Sequence, residues 1–139
     1  MLQIYEVTKD SPWLPQVKAL YESAFPANER IPMKQLLDNK IQREFFAFVD
    51  TIDGAPTFCG FSNSITQGTI TNIVYFAVKP KLRCRGYGSK ILKNIREKHP
   101  ETRLVVDIEV EEDSKDAKEL ELRDFWKEVL KNIPGAKYP

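Results

Sequence analysis

The stretch Tyr75-Phe-Ala-Val-Lys-Pro-Lys-Leu-Arg83-Cys-Arg-Gly86-Tyr-Gly88-Ser-Lys-Ile-Leu92 constrains this chain more than any other. A β-rich run stops at Pro80, a basic turn follows, and two glycines stand at the mouth of an amphipathic helix. The first turn of a helix carries unpaired N–H groups and the positive end of the macrodipole. Glycines there let the backbone come close to an anion and adopt positive φ. Arg83 and Arg85 add charge, so the pattern suits a pyrophosphate. It is not a P-loop, because Gly86-Tyr-Gly88-Ser-Lys lacks the four-residue spacing before Gly-Lys-Ser/Thr. It is not a dinucleotide fingerprint either, because Ile91 stands where the third glycine belongs. The glycines alone also fit an ordinary strand-to-helix turn with exposed Arg and Lys.

Around this segment the pattern predicts a mixed α/β (α+β) domain. Residues 2–7 alternate as a strand. Ser11-Pro12 opens a helix as N-cap and first helical residue, and the helix runs to about Phe25-Pro26. A polar link, 27–30, leads to a second helix from Pro32 to about Arg43. Phe45–Asp50, Thr57–Thr66 and Thr69–Val78 read as an antiparallel meander, with turns at Asp53-Gly54 and Gln67-Gly68. Gly86–Lys98 is a helix, Arg103–Val110 a strand parallel to the one before that helix, and about 114–131 a last helix. Cys59, Trp13, Phe45, Phe46 and Phe48 read as packing, and His99 as a helix C-terminal contact.

Composition narrows the function. A chain of 139 residues fits a single domain spanning 1–139, and 42% hydrophobic residues suffice for a core. The formal net charge of +1 argues against a dedicated nucleic-acid binder. Basic residues nonetheless cluster between Lys79 and Lys98, which suits a small polyanion. No secretory leader and no run of roughly 20 apolar residues is seen, so a cytoplasmic protein with no membrane partner is expected. Cys59 and Cys84 are then expected as reduced thiols.

Arg83-Cys-Arg-Gly86-Tyr-Gly88 resembles the R-x-x-G-x-G signature of the GNAT superfamily of acyl-CoA N-acyltransferases. Phe76-Ala-Val78, Ser89-Lys-Ile-Leu92 and the element order are similar to that family too. Ala24-Phe-Pro-Ala-Asn-Glu29-Arg-Ile-Pro32 resembles the helix–helix link of a bacterial branch. The resemblance implies a mostly antiparallel sheet whose one parallel strand pair splays apart, flanked by helices. It implies acetyl-CoA as cosubstrate, no metal, and an amine of a small molecule or protein as acceptor. Backbone groups of Phe76, Ala77 and Val78 would pair with the pantetheine arm. The backbone of Arg83, Cys84, Arg85, Gly86, Tyr87, Gly88 and Ser89 would hold the pyrophosphate.

Attack on the thioester needs a neutral amine, and a lysine-like amine has to lose a proton first. Glu109, late in the strand bordering the splay, is the first candidate base, and Glu29, in the helix–helix link, is the second; both also fit solvated surface carboxylates. The family's Phe-Tyr pair on the last helix is Phe125-Trp126 here, and Trp offers no acid. The usual two C-terminal strands are not seen in the 133–139 stretch, which carries two prolines and a glycine. The edge of strand 103–110 then needs cover, either in a homodimer through that strand or the last helix, or in a monomer whose last helix folds back across it. The alternatives to an N-acetyltransferase are a non-catalytic acyl-CoA-binding or assembly module and, weakest, a basic nucleic-acid contact over 79–98.

Overall fold

The structure, a computed structural model, describes residues 2–38, 43–83 and 85–106. Five strands form one sheet in the order β1-β2-β3-β4-β5: Gln3–Glu6, Arg43–Ile52, Ala55–Gln67, Ile70–Val78 and Arg103–Val106. The first four pair antiparallel and β4 pairs parallel with β5, from Ile70↔Arg103 to Ile73↔Val106. The mixed sheet with one parallel pair matches the fold expected from sequence. The β2–β3 loop is Asp53-Gly54, both at positive φ (52° and 79°), which is the two-residue turn that follows strand twist. The β3–β4 loop is Gly68-Thr69, one residue later than the sequence suggested, because Gln67 pairs with Ile70.

Among the described residues three α-helices flank the sheet: α1 (Leu14–Ala24), the single turn α2 (Met33–Leu36) and α3 (Tyr87–Lys98). Helix α1 starts later than expected. Ser11 forms a preceding turn, its Oγ accepting from Trp13 N–H and its carbonyl from Leu14 N–H, so Trp13 is the N-cap and Pro15 is the early proline. The second helix is shorter than its 32–43 pattern because Arg43 is drawn into β2, opposite Ile65. Pairing across the sheet overrides a weak helical preference.

Alternation sorts the side chains into two cores. Phe45, Ala47, Phe58, Phe61, Tyr75 and Ala77 pack under α1 and α2. Phe48, Ile73, Phe76, Val78 and Leu104 pack under α3, whose Tyr87, Ile91, Leu92 and Ile95 share one face. Two bulges interrupt the ladders. Cys59 is the extra residue of β3 against β2, and Val74 the extra residue of β4 against β3. A bulge bends its strand and re-aims the side chains beyond it. The Val74 bulge thus falls one residue after the described β4–β5 pairing ends, and separates it from Tyr75–Val78. The expected last helix, the rest of strand 103–110 and the proposed dimer contact lie outside the described residues.

Candidate cofactor cleft and acceptor wall

After Val78 the chain makes a single turn at Pro80–Leu82, with Leu82 buried against the α3 core. Arg83 is extended and exposed, and Gly86 then caps α3 at φ 82°, ψ 7°. This left-handed position is where a side chain is strained. No side chain caps the helix, and its first internal bond runs from Lys90 N–H to Gly86 O. The N–H groups of Tyr87, Gly88 and Ser89 therefore have no intrahelical acceptor. The helix mouth borders a shallow open cleft lined by Val78, Leu82, Arg83, Gly86, Tyr87, Gly88 and Ser89. Six of the residues singled out from sequence meet here without one carboxylate among them. Arg85 is exposed beside the turn, while Cys84 lies outside the described residues.

Tyr87 lines the cleft and is fastened from behind. Its hydroxyl donates to Asp50 Oδ2 at 2.8 Å, and Thr51 N–H donates to Asp50 Oδ1 at 2.9 Å. The hydrogen bond from Tyr87 holds the Asp50 carboxyl below its usual range, and the same bond, with burial, pushes the Tyr87 phenol up to about 12. Asp50 was not singled out from sequence; no local pattern links it to a helix 37 residues on. Burial raises the Cys59 thiol nearby, so it stays neutral in the core.

This bond makes a prediction with a definite sign. Asp50 has a depressed pKa, so its contribution to stability is present above the ordinary 3.8 and is lost as pH falls through its folded value. Tyr87 has a raised pKa, so its contribution is present below 10.0 and is lost as pH rises toward about 12. Tyr87→Phe should lower the melting temperature between those limits. The difference from wild type should close at both extremes of a pH series followed by circular dichroism. A constant offset at all pH would show that the hydroxyl contributes nothing through Asp50.

Phe76 and Val78 face the α3 core, whereas Tyr75 and Ala77 face the α1 side. On that second face the 27–31 link is held by two phenols. Tyr75 OH donates to Glu29 O at 2.6 Å, and Ile31 N–H donates to the hydroxyls of Tyr21 (2.8 Å) and Tyr75 (3.2 Å). Tyr21 OH donates in turn to Ile31 O at 2.8 Å. Tyr75 meets Tyr21 and Phe25 edge-on at 4.8 and 5.0 Å, and burial raises the Tyr21 phenol, keeping it a donor. The single-turn helix Ala27–Glu29 is thereby fixed to the end of β4, with the Glu29 side chain half-buried. From sequence, Tyr21 is one residue of an apolar stripe; only contacts 10 and 44 residues apart show what the two phenols do. Glu109, the first candidate base, lies outside the described residues.

The acetyltransferase (GNAT) family model matches residues 14–123. Among curated proteins no sequence matches. Among solved structures, a GNAT-family protein from Bacteroides thetaiotaomicron is similar with a TM-score of 0.67 and 21% identity, over 91% of this chain and 69% of that one. An aminoglycoside acetyltransferase from an uncultured soil metagenomic sample, in complex with sisomicin, gives 0.63 and 20%, over 99% and 91%. An aminoglycoside 6'-N-acetyltransferase complexed with coenzyme A gives 0.56 and 19%, over 70% and 55%. At these identities the structural likeness speaks for the fold alone. Among the described residues no helix is long and apolar enough to cross a membrane. The match across most of the sequence, together with the glycine-capped helix mouth at the end of β4, makes this chain a member of the GNAT acetyltransferase family.

Proposed function

We propose that this chain transfers the acetyl group of acetyl-CoA to a primary amine of a small molecule or protein. The observation that carries the reading is the α3 mouth: three N–H groups without intrahelical acceptors, a left-handed glycine cap and Arg83 around one cleft at the end of β4. Such a mouth takes a pyrophosphate. A coenzyme A–bound relative of the same fold supports the choice of ligand.

In this reading the cosubstrate lies on the α3 side of β4 and the amine arrives past the 27–31 link on the other. The backbone at Phe76, Ala77 and Val78 pairs with the pantetheine arm, and an N–H near Ala77 or Val78 polarises the thioester carbonyl. The amine nitrogen bonds to the carbonyl carbon as the carbon–sulfur bond breaks. The amine proton passes to Glu109 or Glu29, directly or through water, and the thiolate takes its proton from solvent, since Trp126 offers none. A thiol of pKa near ~8.5 leaves tolerably without an acid.

Three results test this. Thiol release with an amine panel should rise with pH, as the amine loses its proton and no enzymic acid is needed. Glu109→Gln should lower the rate more than Glu29→Gln; an unchanged rate in Glu109→Gln leaves water or Glu29 as base. Arg83→Ala and Arg85→Ala should each weaken acetyl-CoA by roughly 3- to 10-fold at low salt and less at high salt. An equal loss for pantetheine compounds without a pyrophosphate would contradict the assigned contact. Trp126 favours a second reading, a non-catalytic acyl-CoA-binding module: acetyl-CoA binding without thiol release from any amine would establish it.

A further inference from the structure

The mouth of α3 lacks the device that commonly steadies a helix start. Its cap is Gly86, and among the described residues no side chain accepts from the first-turn N–H groups. The first bond within the helix is the one from Lys90 N–H to Gly86 O. A helix end of this kind frays, because nothing local fixes the direction of its N–H groups. Glycine at the cap widens the range of backbone conformations further. Three amides that are to meet one anion together need a fixed direction.

That direction is supplied from across the sheet. Tyr87, the first residue of α3, is buried in the same core cluster as Cys59, Val78, Leu82 and Ile91. Its hydroxyl donates to Asp50 Oδ2 at 2.8 Å, and Thr51 N–H donates to Asp50 Oδ1 at 2.9 Å. Lys90, one turn further along α3, sets its ammonium 5.2 Å from the centre of the same ring. The phenol is thus held at its face by its own helix and at its tip by β2.

Charge is the wrong explanation for Asp50. A carboxylate on the wall behind an anion site repels the anion. A carboxylate does make a stronger bond to a phenol than a neutral acceptor does, and its two oxygens serve two donors at once. Resting on the acetyl-CoA reading above, we infer that Asp50 is a positioning residue for the cosubstrate: through the Tyr87 hydroxyl it holds the first turn of α3 so that the N–H groups of Tyr87, Gly88 and Ser89 meet one pyrophosphate together. The mouth is then ordered before the ligand arrives, and less of the binding free energy goes into ordering it.

The test is calorimetric titration of CoA into the full chain, Asp50→Asn, Tyr87→Phe and the double variant, well below every melting transition. Asparagine keeps the shape of the side chain but offers one oxygen to the two donors. Asp50→Asn should weaken CoA by roughly 5- to 20-fold at full stoichiometry. Tyr87→Phe should do the same, and the double variant should bind no worse than either single one, because both remove one bond. Asp50 has other interactions, and the cycle isolates this one. The loss should persist at high salt. Charge acting alone predicts the opposite sign: tighter binding in Asp50→Asn that fades as salt is added. Unchanged or tighter binding in Asp50→Asn, or additive losses in the double variant, would overturn the inference and leave the mouth as the site. So would a fall in stoichiometry at an unchanged dissociation constant, which is what loss of folded protein alone produces. Absence of CoA binding by the unaltered chain is a distinct result, and it would overturn the acetyl-CoA reading together with the inference that rests on it.

Discussion

Gly86→Val should lower acetyl-CoA affinity by at least about 100-fold, read by calorimetry. Gly86 sits at φ 82°, where a β-branched residue costs on the order of 1–3 kcal/mol and tends to drag the cap toward another conformation. Among the described residues, chain neighbours apart, no atom lies within 4 Å of the Cβ such a side chain would add, so they do not crowd the new group. It stands instead in the space that an anion on the Tyr87, Gly88 and Ser89 N–H groups would use. Gly88→Val should act alike, since Gly88 lies buried in the first turn of α3. Gly86→Asn separates strain from obstruction, because Asn tolerates the left-handed region. It should keep a near-normal melting temperature and still bind poorly. Normal affinity in both valine variants would remove the turn as the binding site.

Gly60→Ala should destabilise the fold by roughly 2–3 kcal/mol, or about 10 °C in melting temperature. Gly60 lies in β3 opposite Val78, and an added Cβ would stand 2.4 Å from the Ala77 carbonyl oxygen and 3.2 Å from Val78 Cα. These are backbone atoms of β4, so relief requires the strands to part. The strain falls on the segment proposed to pair with the pantetheine arm. Gly60→Ala should therefore also weaken CoA in whatever fraction stays folded. A wild-type melting curve would mean that β3 and β4 are not this close.

The two glycines show what was legible in the sequence. Gly86 and Gly88 announce a helix mouth because the chemistry is local: an unpaired first turn needs nearby backbone room and nearby positive charge. Asp53-Gly54 is legible for the same reason, since Asp tolerates positive φ and Gly, without a Cβ, adopts it freely. The longer-range features were not. The helical pattern after Pro32 stops short because Arg43 gains a strand partner in Ile65, 22 residues away in a different element. Asp50 behind Tyr87, and Glu44 beside His99, join positions 37 and 55 residues apart. His99 reads from sequence as a helix-end residue, and it does cap α3 with its N–H on Ile95 O, but its pairing with Glu44 of β2 is a product of the sheet. The bulges at Cys59 and Val74 leave no composition signal at all, and the second of them decides where Tyr75–Val78 point. The helix mouth around Gly86 was therefore readable, and the tethering of the 27–31 link by Tyr21 and Tyr75 was not.

The central claim is that the α3 mouth and the end of β4 hold acetyl-CoA together, and backbone amide shifts during a CoA titration test it most directly. Saturable shifts should appear at Arg83 to Ser89 and at Phe76 to Val78, with the α3 amides beyond Lys90 and those of β1 little changed. Pantetheine alone should move Phe76 to Val78 and leave Tyr87, Gly88 and Ser89 in place. No saturable shift with CoA, or shifts confined to other elements, would contradict the account.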